Sequence, residues 1–287
     1  MRKILITGFN GNLGKRIFNH QQNLPFYCIF LSKNKCCNHI SRINKHVIAD
    51  LSKDDLDDQL WGADEVFHMA GSTHERKTKR YYLNNFEATK RLIDKSEANN
   101  VKRFIYVSTQ AVGEKGGAYS HSKELAERHL TKSNLKWTII RPADIYGTEC
   151  DNAIKSLCSF IRLSKILPII GDGQYQINPV HVDDFAKFIL NLLECNSNKS
   201  NFKIYNLAGP SPITFKNFCK IRYKEIGKRP IIVHLPIFLC KWLISIISKT
   251  RISSIVPDQV DRLIMTKDNN IELAVKDYRF KPRIFSN

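Results

Sequence analysis

The chain opens with a short apolar run, Ile4-Leu5-Ile6, followed at once by Thr7-Gly8-Phe9-Asn10-Gly11-Asn12-Leu13-Gly14. A strand, a glycine-rich turn and a helix opening in this order constrain the fold more than any other feature of the sequence. Gly8 permits the tight turn, Gly11 lets backbone approach an anion, and Gly14 allows the helix to pack closely. The helix expected from Gly11 to Asn19 turns its free N–H groups and the positive end of its dipole toward that anion, as a dinucleotide pyrophosphate requires. The spacing is Gly-x-x-Gly-x-x-Gly, not the more familiar Gly-x-Gly-x-x-Gly.

Further apolar, β-rich runs recur at Tyr27–Leu31, Val47–Ala49, Glu65–Met69, Arg103–Ser108 and Lys136–Arg141, with helical periodicity over Leu83–Asn99 and Ser120–Ser133. Alternation of this kind predicts an α/β fold, a doubly wound parallel sheet of Rossmann type with right-handed crossovers and a ligand at the carboxyl ends of its strands. After Tyr146 the pattern loosens and Pro and Gly become frequent. We expect a dinucleotide-binding domain over 1–146 and 179–209, and a smaller, discontinuous substrate lobe over 147–178 and 210–287.

At 287 residues the chain can bury a substantial core. Its formal charge of +18 points to an anionic partner: a phosphorylated small molecule, a membrane surface or nucleic acid. The basic residues are scattered, with local clusters at Arg76–Arg80, Lys216–Lys228 and Lys276–Arg283, and no nucleic-acid recognition motif accompanies them. Specific nucleic-acid binding is therefore not expected. The eight cysteines contain no Cys-x-x-Cys pair, which argues for free thiols in a reducing cytoplasm and against a metal site. The first apolar run stops at a glycine turn after three residues and does not read as a signal peptide. The stretch IIVHLPIFLCKWLISII (231–247) is the most hydrophobic, but Pro236 and Lys241 interrupt it and it is too short for a span of about 20 residues. It reads as a core helix in preference to an amphipathic segment resting peripherally on a membrane.

Tyr119 and Lys123 lie four residues apart, one helical turn apart on one face. A lysine beside a tyrosine stabilises the phenolate and equips the pair for acid/base work. Upstream, Ser108 and Thr109 end a strand, where a hydroxyl can reach a substrate oxygen.

With these pieces in order the chain resembles the extended short-chain dehydrogenase/reductase family, the NAD(P)-dependent epimerase/dehydratase group. The matching elements are the Thr7–Gly14 turn; Ala49-Asp50-Leu51; Asp64–Gly71; Asn85 before Ala88-Thr89; Val107-Ser108-Thr109; Tyr119-Ser-His-Ser-Lys123; Arg141–Gly147; and Pro179–Asp184. The resemblance implies that Tyr119 is the catalytic acid/base, that Lys123 lowers its pKa and binds the nicotinamide ribose, and that Thr109 orients the substrate carbonyl or alcohol. It implies a cofactor site formed by Gly8, Phe9, Asn10, Gly11, Asn12, Leu13, Gly14, Ser32, Lys33, Asp50 (at the adenine), Leu51, Met69, Ala70, Gly71, Asn85, Val107, Ser108, Tyr119, Lys123, Pro142 and Ile145. The substrate class it implies is a nucleotide sugar or a related secondary alcohol or ketone, and it implies a homodimer. His181, within Val180–Asp184, reads as a structural polar residue.

Two features qualify the transfer. The second strand ends Phe30-Leu31-Ser32-Lys33 without the carboxylate that accepts from an NAD ribose, so Lys33 and Lys35 favour NADP over NAD. Nine residues separate Thr109 from Tyr119, a shorter loop than sugar-nucleotide epimerases of the family have. The stretch Val256–Leu263, followed by Asp268-Asn269-Asn270, also resembles a subgroup related to the NADPH-binding accessory subunit of respiratory complex I, whose members often lose the tyrosine and act structurally. This chain keeps Thr109, Tyr119 and Lys123 together, which favours an enzyme over a non-catalytic subunit or assembly factor.

Overall fold

A computed structural model describes residues 1–18, 24–35, 44–56, 62–147, 153–195, 198–247 and 258–285. The expectations for Asn19, Cys36, Cys37, Cys150, Val256 and Pro257 lie outside the described residues.

Seven parallel strands form the central sheet: β1 (Lys3–Thr7), β2 (Tyr27–Ser32), β3 (Lys45–Ile48), β4 (Glu65–His68), β5 (Arg103–Val107), β6 (Lys136–Pro142) and, far along the chain, β11 (Lys203–Leu207). Their order is β11-β6-β5-β4-β1-β2-β3. The order reverses at β1, with Ile4 opposite Cys28 of β2 on one side and Glu65 of β4 on the other. That reversal leaves the crevice at the carboxyl ends of β1 and β4 where open α/β sheets hold ligands. β1, β4 and β5 are almost wholly buried, as continuous apolar strands covered on both faces must be.

Helices cover both faces. On one, α1 (Asn12–Phe18) and α6 (Val182–Glu194) pack with Ile4, Ile6, Phe30, Phe67, Phe185, Phe188 and Tyr205. On the other, α3 (Ala88–Ala98) and α4 (Gly117–Thr131) close over Leu5, Val66, Phe104, Tyr106 and Ile139. His181 caps α6: its Nδ1 accepts from the Asp183 N–H at 3.2 Å, the structural part expected of it. The helix expected from Leu83 begins earlier, as α2 (Thr78–Tyr81), and passes through a π-helical turn (Tyr82–Glu87) into α3.

A third, smaller apolar cluster gathers Ile161, Leu167, Ile169, Ile177, Phe218, Cys219 and Tyr223. It draws on α5 (Ala153–Leu163), β8 (Ile166–Ile170), α7 (Phe215–Glu225) and β13 (Ile231–Leu235), with β13 parallel to β8. Short two-residue strands β7 (Ile145–Tyr146), β9 (Gln176–Ile177), β10 (Val180–His181) and β12 (Ile213–Thr214) tie the connections together. The core helix expected over 231–247 is not formed. Pro236 lacks the N–H and the φ freedom to continue either element, so the stretch divides into β13 and α8 (Ile237–Ile247). Of its large apolar residues Phe238 is 75% exposed and Trp242 58% exposed. Helices α9 (Gln259–Ile264) and α10 (Glu272–Tyr278) complete the described chain, and none of its helices is long and apolar enough to cross a membrane.

Candidate active site

The turn after β1 is shaped by what glycine alone permits. Gly8 has φ of +78°, and a Cβ there would lie 2.5 Å from the Ala70 nitrogen and 2.6 Å from the Met69 carbonyl carbon. A Cβ at Gly14 would lie 2.3 Å from Phe9 Cα. Gly14 therefore lets α1 sit directly on the turn, while Gly8 lets the turn sit directly on the loop after β4. A buried relay locks the two strand ends together. The Ala70 N–H donates to Thr7 Oγ1 (3.3 Å), the Thr7 hydroxyl pairs with His68 Nδ1 (2.6 Å), and His68 Nε2 pairs with Thr89 Oγ1 (2.8 Å). Burial pushes the His68 imidazole down to about 3. It is therefore neutral, with one nitrogen donating and the other accepting.

A cavity of about 1070 Å³ opens above this turn, large for a ligand site. Gly8, Asn10, Gly11, Asn12, Leu13, Ser32, Lys33, Asp50, Leu51, Met69, Ala70, Gly71, Asn85, Val107, Ser108, Thr109, Tyr119, Lys123, Pro142 and Ile145 all line it. Two of the expected residues do not. Phe9 points into the core against Phe30, ring centroids 4.6 Å apart, and Gly14 lies beneath it. The basic run Arg76–Arg80 also falls outside the lining, and Arg80 faces Glu75 at 3.8 Å.

At one end of the cavity Asp50 Oδ1 accepts from the Ser52 hydroxyl (2.7 Å) and N–H (3.0 Å), and Lys33 Nζ lies 3.0 Å from Asp50 Oδ2. The Ser52 hydroxyl first, against the opposing effect of burial, and with it the Lys33 ammonium and the Ser52 N–H, hold the Asp50 carboxyl down to about 2. In the middle, Asn85 sits in the π-helical turn, fully buried. It accepts from the Ser72 N–H (2.7 Å) and donates to the Ser72 carbonyl (3.0 Å) and to Ser122 Oγ (3.2 Å), which in turn donates to the Tyr119 carbonyl (2.7 Å). Asn85 thus ties the loop after β4 to the first turns of α4. A π-turn at such a place is a recurrent functional feature.

At the other end stand Thr109, Tyr119 and Lys123. Tyr119 is 8% exposed, and burial raises its phenol pKa; Arg262 and a hydrogen bond to the Thr109 side chain oppose that rise. The expected pairing of the Lys123 ammonium with the phenol is not what the structure places there. Lys123 Nζ donates to the Val107 carbonyl (2.9 Å) and lies 4.5 Å from the centre of the Tyr106 ring. Burial pushes it down to about 7. The cation at Tyr119 is Arg262, whose Cζ is 4.6 Å from the ring centre. Arg262 donates to the Thr73 carbonyl (3.2 Å) and faces Asp258 (3.5 Å), and Asp258 accepts the Tyr119 backbone N–H (3.2 Å). Helix α9 therefore closes over the tyrosine from the far end of the chain. Asp258 and Arg262 stand in the sequence only as part of a family-like stretch; the contact of Asp258 with Tyr119 spans 139 residues and carries no local signal.

Three further groups fit a polar ligand. Ser108 Oγ and both amide atoms of Gln110 are buried in the cavity wall without a partner among the described residues, an arrangement costly unless something completes it. The glycine cradle at Gly8 and Gly71, where a Cβ would meet Asn85 Oδ1 at 2.9 Å, leaves room for backbone to approach a pyrophosphate. The residues present fit a dinucleotide. Among the described residues no group of three or more His, Cys, Asp or Glu side chains could hold a metal.

A parallel sheet with its glycine turn at the switch point and a Tyr-Lys helix facing it defines a fold of Rossmann type. The model of the NAD dependent epimerase/dehydratase family matches residues 4–208. The chain belongs to that family, an extended short-chain dehydrogenase/reductase. It is 29% identical over 181 residues to the Arabidopsis thaliana mitochondrial NADH dehydrogenase [ubiquinone] 1 alpha subcomplex subunit 9, covering 62% of this chain but 44% of that relative. It is 23% identical over 285 residues to the Dictyostelium discoideum sterol-4-alpha-carboxylate 3-dehydrogenase, decarboxylating, covering 87% and 85%. Among solved structures, the Bacillus cereus UDP-glucuronic acid 4-epimerase in complex with UDP-glucuronic acid and NAD aligns with a TM-score of 0.73 at 20% identity, over 99% of this chain and 95% of that one. At that identity the likeness concerns the fold.

Proposed function

We propose that this protein is an NAD(P)-dependent oxidoreductase or epimerase acting on a nucleotide sugar or a related secondary alcohol or ketone, with Tyr119 as acid/base. The observation that supports the reading is that the buried Tyr119, the half-buried Thr109 and Lys123 stand in the wall of the same cavity that the glycine turn enters. When bound, the nicotinamide cofactor supplies or receives the hydride. The rest falls to the chain. A phenol raised by burial keeps its proton at neutral pH, the form that protonates a developing alkoxide; in the reverse direction Arg262 and Thr109 stabilise the phenolate. Lys123, fixed by the Val107 carbonyl, and the unpartnered Ser108 and Gln110 orient what binds. Residues 147–178 and 210–287 serve as the substrate lobe, contributing Ile170, Ile244, Leu263 and Lys267 to the cavity.

The cofactor preference we propose is NADP(H). β2 ends in Ser32 without a carboxylate, and Lys33 lines the cavity, although Asp50 shares its ammonium. The UDP-sugar ligand and NAD of the Bacillus cereus enzyme support the substrate and cofactor classes. A second reading, a non-catalytic cofactor-holding subunit of a membrane complex, draws on the likeness to the subunit 9 relatives. The experiment that separates them offers the purified protein NADPH and NADH with ketosteroids and simple ketones, and NADP+ and NAD+ with UDP- and dTDP-sugars and hydroxysteroids. Nicotinamide absorbance reads net oxidation or reduction, and chromatography of the sugar products reads epimerisation, which regenerates the cofactor. Turnover with any of them, faster with NADPH, is expected; tight NADPH binding without turnover on the whole panel would favour the second reading.

A further inference from the structure

The elements around the third apolar cluster carry an outer face that the described residues leave uncovered. Leu163 at the end of α5 is 88% exposed, Ile231 63%, Phe238 75% and Trp242 58%. Ile231 lies on β13, Phe238 and Trp242 on the helix that follows it, and Leu163 three residues before β8. β13 pairs with β8 so that Ile231 stands beside Ile166, and Val233 beside Pro168. All four of these side chains are exposed, while Leu167 and Ile169 turn inward to the cluster. Pro236 alone separates β13 from α8, whose opposite side is anchored: Cys240 is buried and Ile244 reaches the wall of the active-site cavity.

Charge around this face is one-sided. Residues 153–178 and 210–247 hold ten lysines and arginines against two acidic residues, Asp172 and Glu225; of the ten, Lys241 pairs with Asp261 of α9 and Arg222 is buried beside Glu225. Among them Arg162, Lys165 and Arg229 are exposed within two residues of the apolar strip, and the Lys165 carbonyl accepts the Ile231 N–H. A protein partner with a mixed surface would find little here for its own cations, and a second copy would bring two equally basic rims together. An anionic lipid surface satisfies both parts: aromatic and aliphatic side chains enter the interfacial region while lysine and arginine meet the headgroups. At 11 residues α8 is about 16 Å long, far short of a hydrocarbon core of about 30 Å. Over its described residues it is long enough to lie on a bilayer and too short to cross one.

We infer that this face docks the protein on the surface of an anionic phospholipid bilayer, with Phe238 and Trp242 as its apolar anchors and Arg162, Lys165 and Arg229 against the headgroups. Because α8 also lends Ile244 to the cavity, docking sets one wall of the active-site cavity against the membrane. The inference stands independently of the catalytic reading.

The test is flotation of the full chain with phosphatidylcholine vesicles and with vesicles of phosphatidylcholine and phosphatidylglycerol, at low and high salt. Binding is expected to the anionic vesicles, weakened by salt and much reduced on phosphatidylcholine alone. The exposed double variant Phe238→Ser/Trp242→Ser is expected to lose at least tenfold in partitioning. Lys165→Glu/Arg229→Glu is expected to lose more than the roughly fivefold per cation that a headgroup contact contributes. Circular dichroism checks that both variants keep the fold. No flotation of the wild type with anionic vesicles, or equal flotation of wild type and variants, overturns the inference. So does a dimer in light scattering that Phe238→Ser/Trp242→Ser disperses while vesicle binding is absent, since the face would then join copies of this chain.

Discussion

Lys123→Met offers a test that needs no substrate. The Lys123 ammonium is buried, with one carbonyl and one aromatic face as its contacts, and burial holds it down to about 7 from an ordinary 10.5. In the unfolded chain the amine titrates near its ordinary value, so between about pH 7 and 10.5 the unfolded state binds more protons than the folded one. Stability then rises with pH across that window. Below it the folded protein carries the full penalty of a buried charge; above it neither state is charged. Integrating the shift gives a wild-type gain of about 2–3 kcal/mol between pH 6.5 and 9 from this group alone. Methionine has similar length and no charge, so Lys123→Met should not show that gain. The assay is urea unfolding of both proteins, without cofactor, at the two pH values. The variant is expected to be the more stable at pH 6.5, with its advantage shrinking by about 2–3 kcal/mol at pH 9. A difference between the two proteins that is the same at both pH values would refute the argument, because Lys123 would then keep its charge in the folded state throughout.

Other consequences follow from the same geometry. Arg262→Met removes the cation over the Tyr119 ring, whose charge favours the phenolate over the phenol and opposes the rise that burial imposes. The pH at which alcohol oxidation rises should move up in the variant, and Arg262→Lys should restore part of the shift; an unmoved profile would assign Arg262 to binding alone. Gly8→Val puts a β-branched residue at φ +78° and 2.5 Å from backbone, a conformation costing about 1–2 kcal/mol before any clash. Calorimetry should show cofactor binding abolished and scanning calorimetry a lowered Tm; unaltered NADPH affinity would show that the turn does not hold the pyrophosphate.

Much of this fold was legible because periodicity and glycine are local signals. Strand β1 ends where the Ile4-Leu5-Ile6 run predicted, and Gly8 and Gly14 meet the backbones their places in the turn required. Boundaries moved where side-chain pattern and hydrogen bonding disagree: the helix predicted from Leu83 starts at Thr78 because exposed Thr78, Lys79 and Arg80 carry no apolar period. The Phe9 ring turns into the core between two glycines of the turn, an orientation that glycine spacing does not reveal. Lys123 lines the cavity, but i and i+4 spacing says nothing about its contact with a carbonyl on the neighbouring strand. Nor could composition show that α8 splits from β13 at Pro236 and keeps Trp242 outside; hydrophobicity records what a segment favours, not whether the fold covers it.

The account turns on Tyr119 acting within a cavity that holds a nicotinamide cofactor. Its most direct test is Tyr119→Phe, with NADPH and NADH affinity measured by calorimetry and turnover measured on whichever substrate the wild type accepts. The hydroxyl is removed while the ring between Arg262 and Tyr81 stays in place. The account predicts cofactor affinity within about threefold of wild type, as the ring packing is kept, and turnover lowered by about 10²–10⁴-fold, the contribution of a positioned acid/base. Undiminished turnover in Tyr119→Phe, or a wild-type protein that binds neither cofactor, would contradict it.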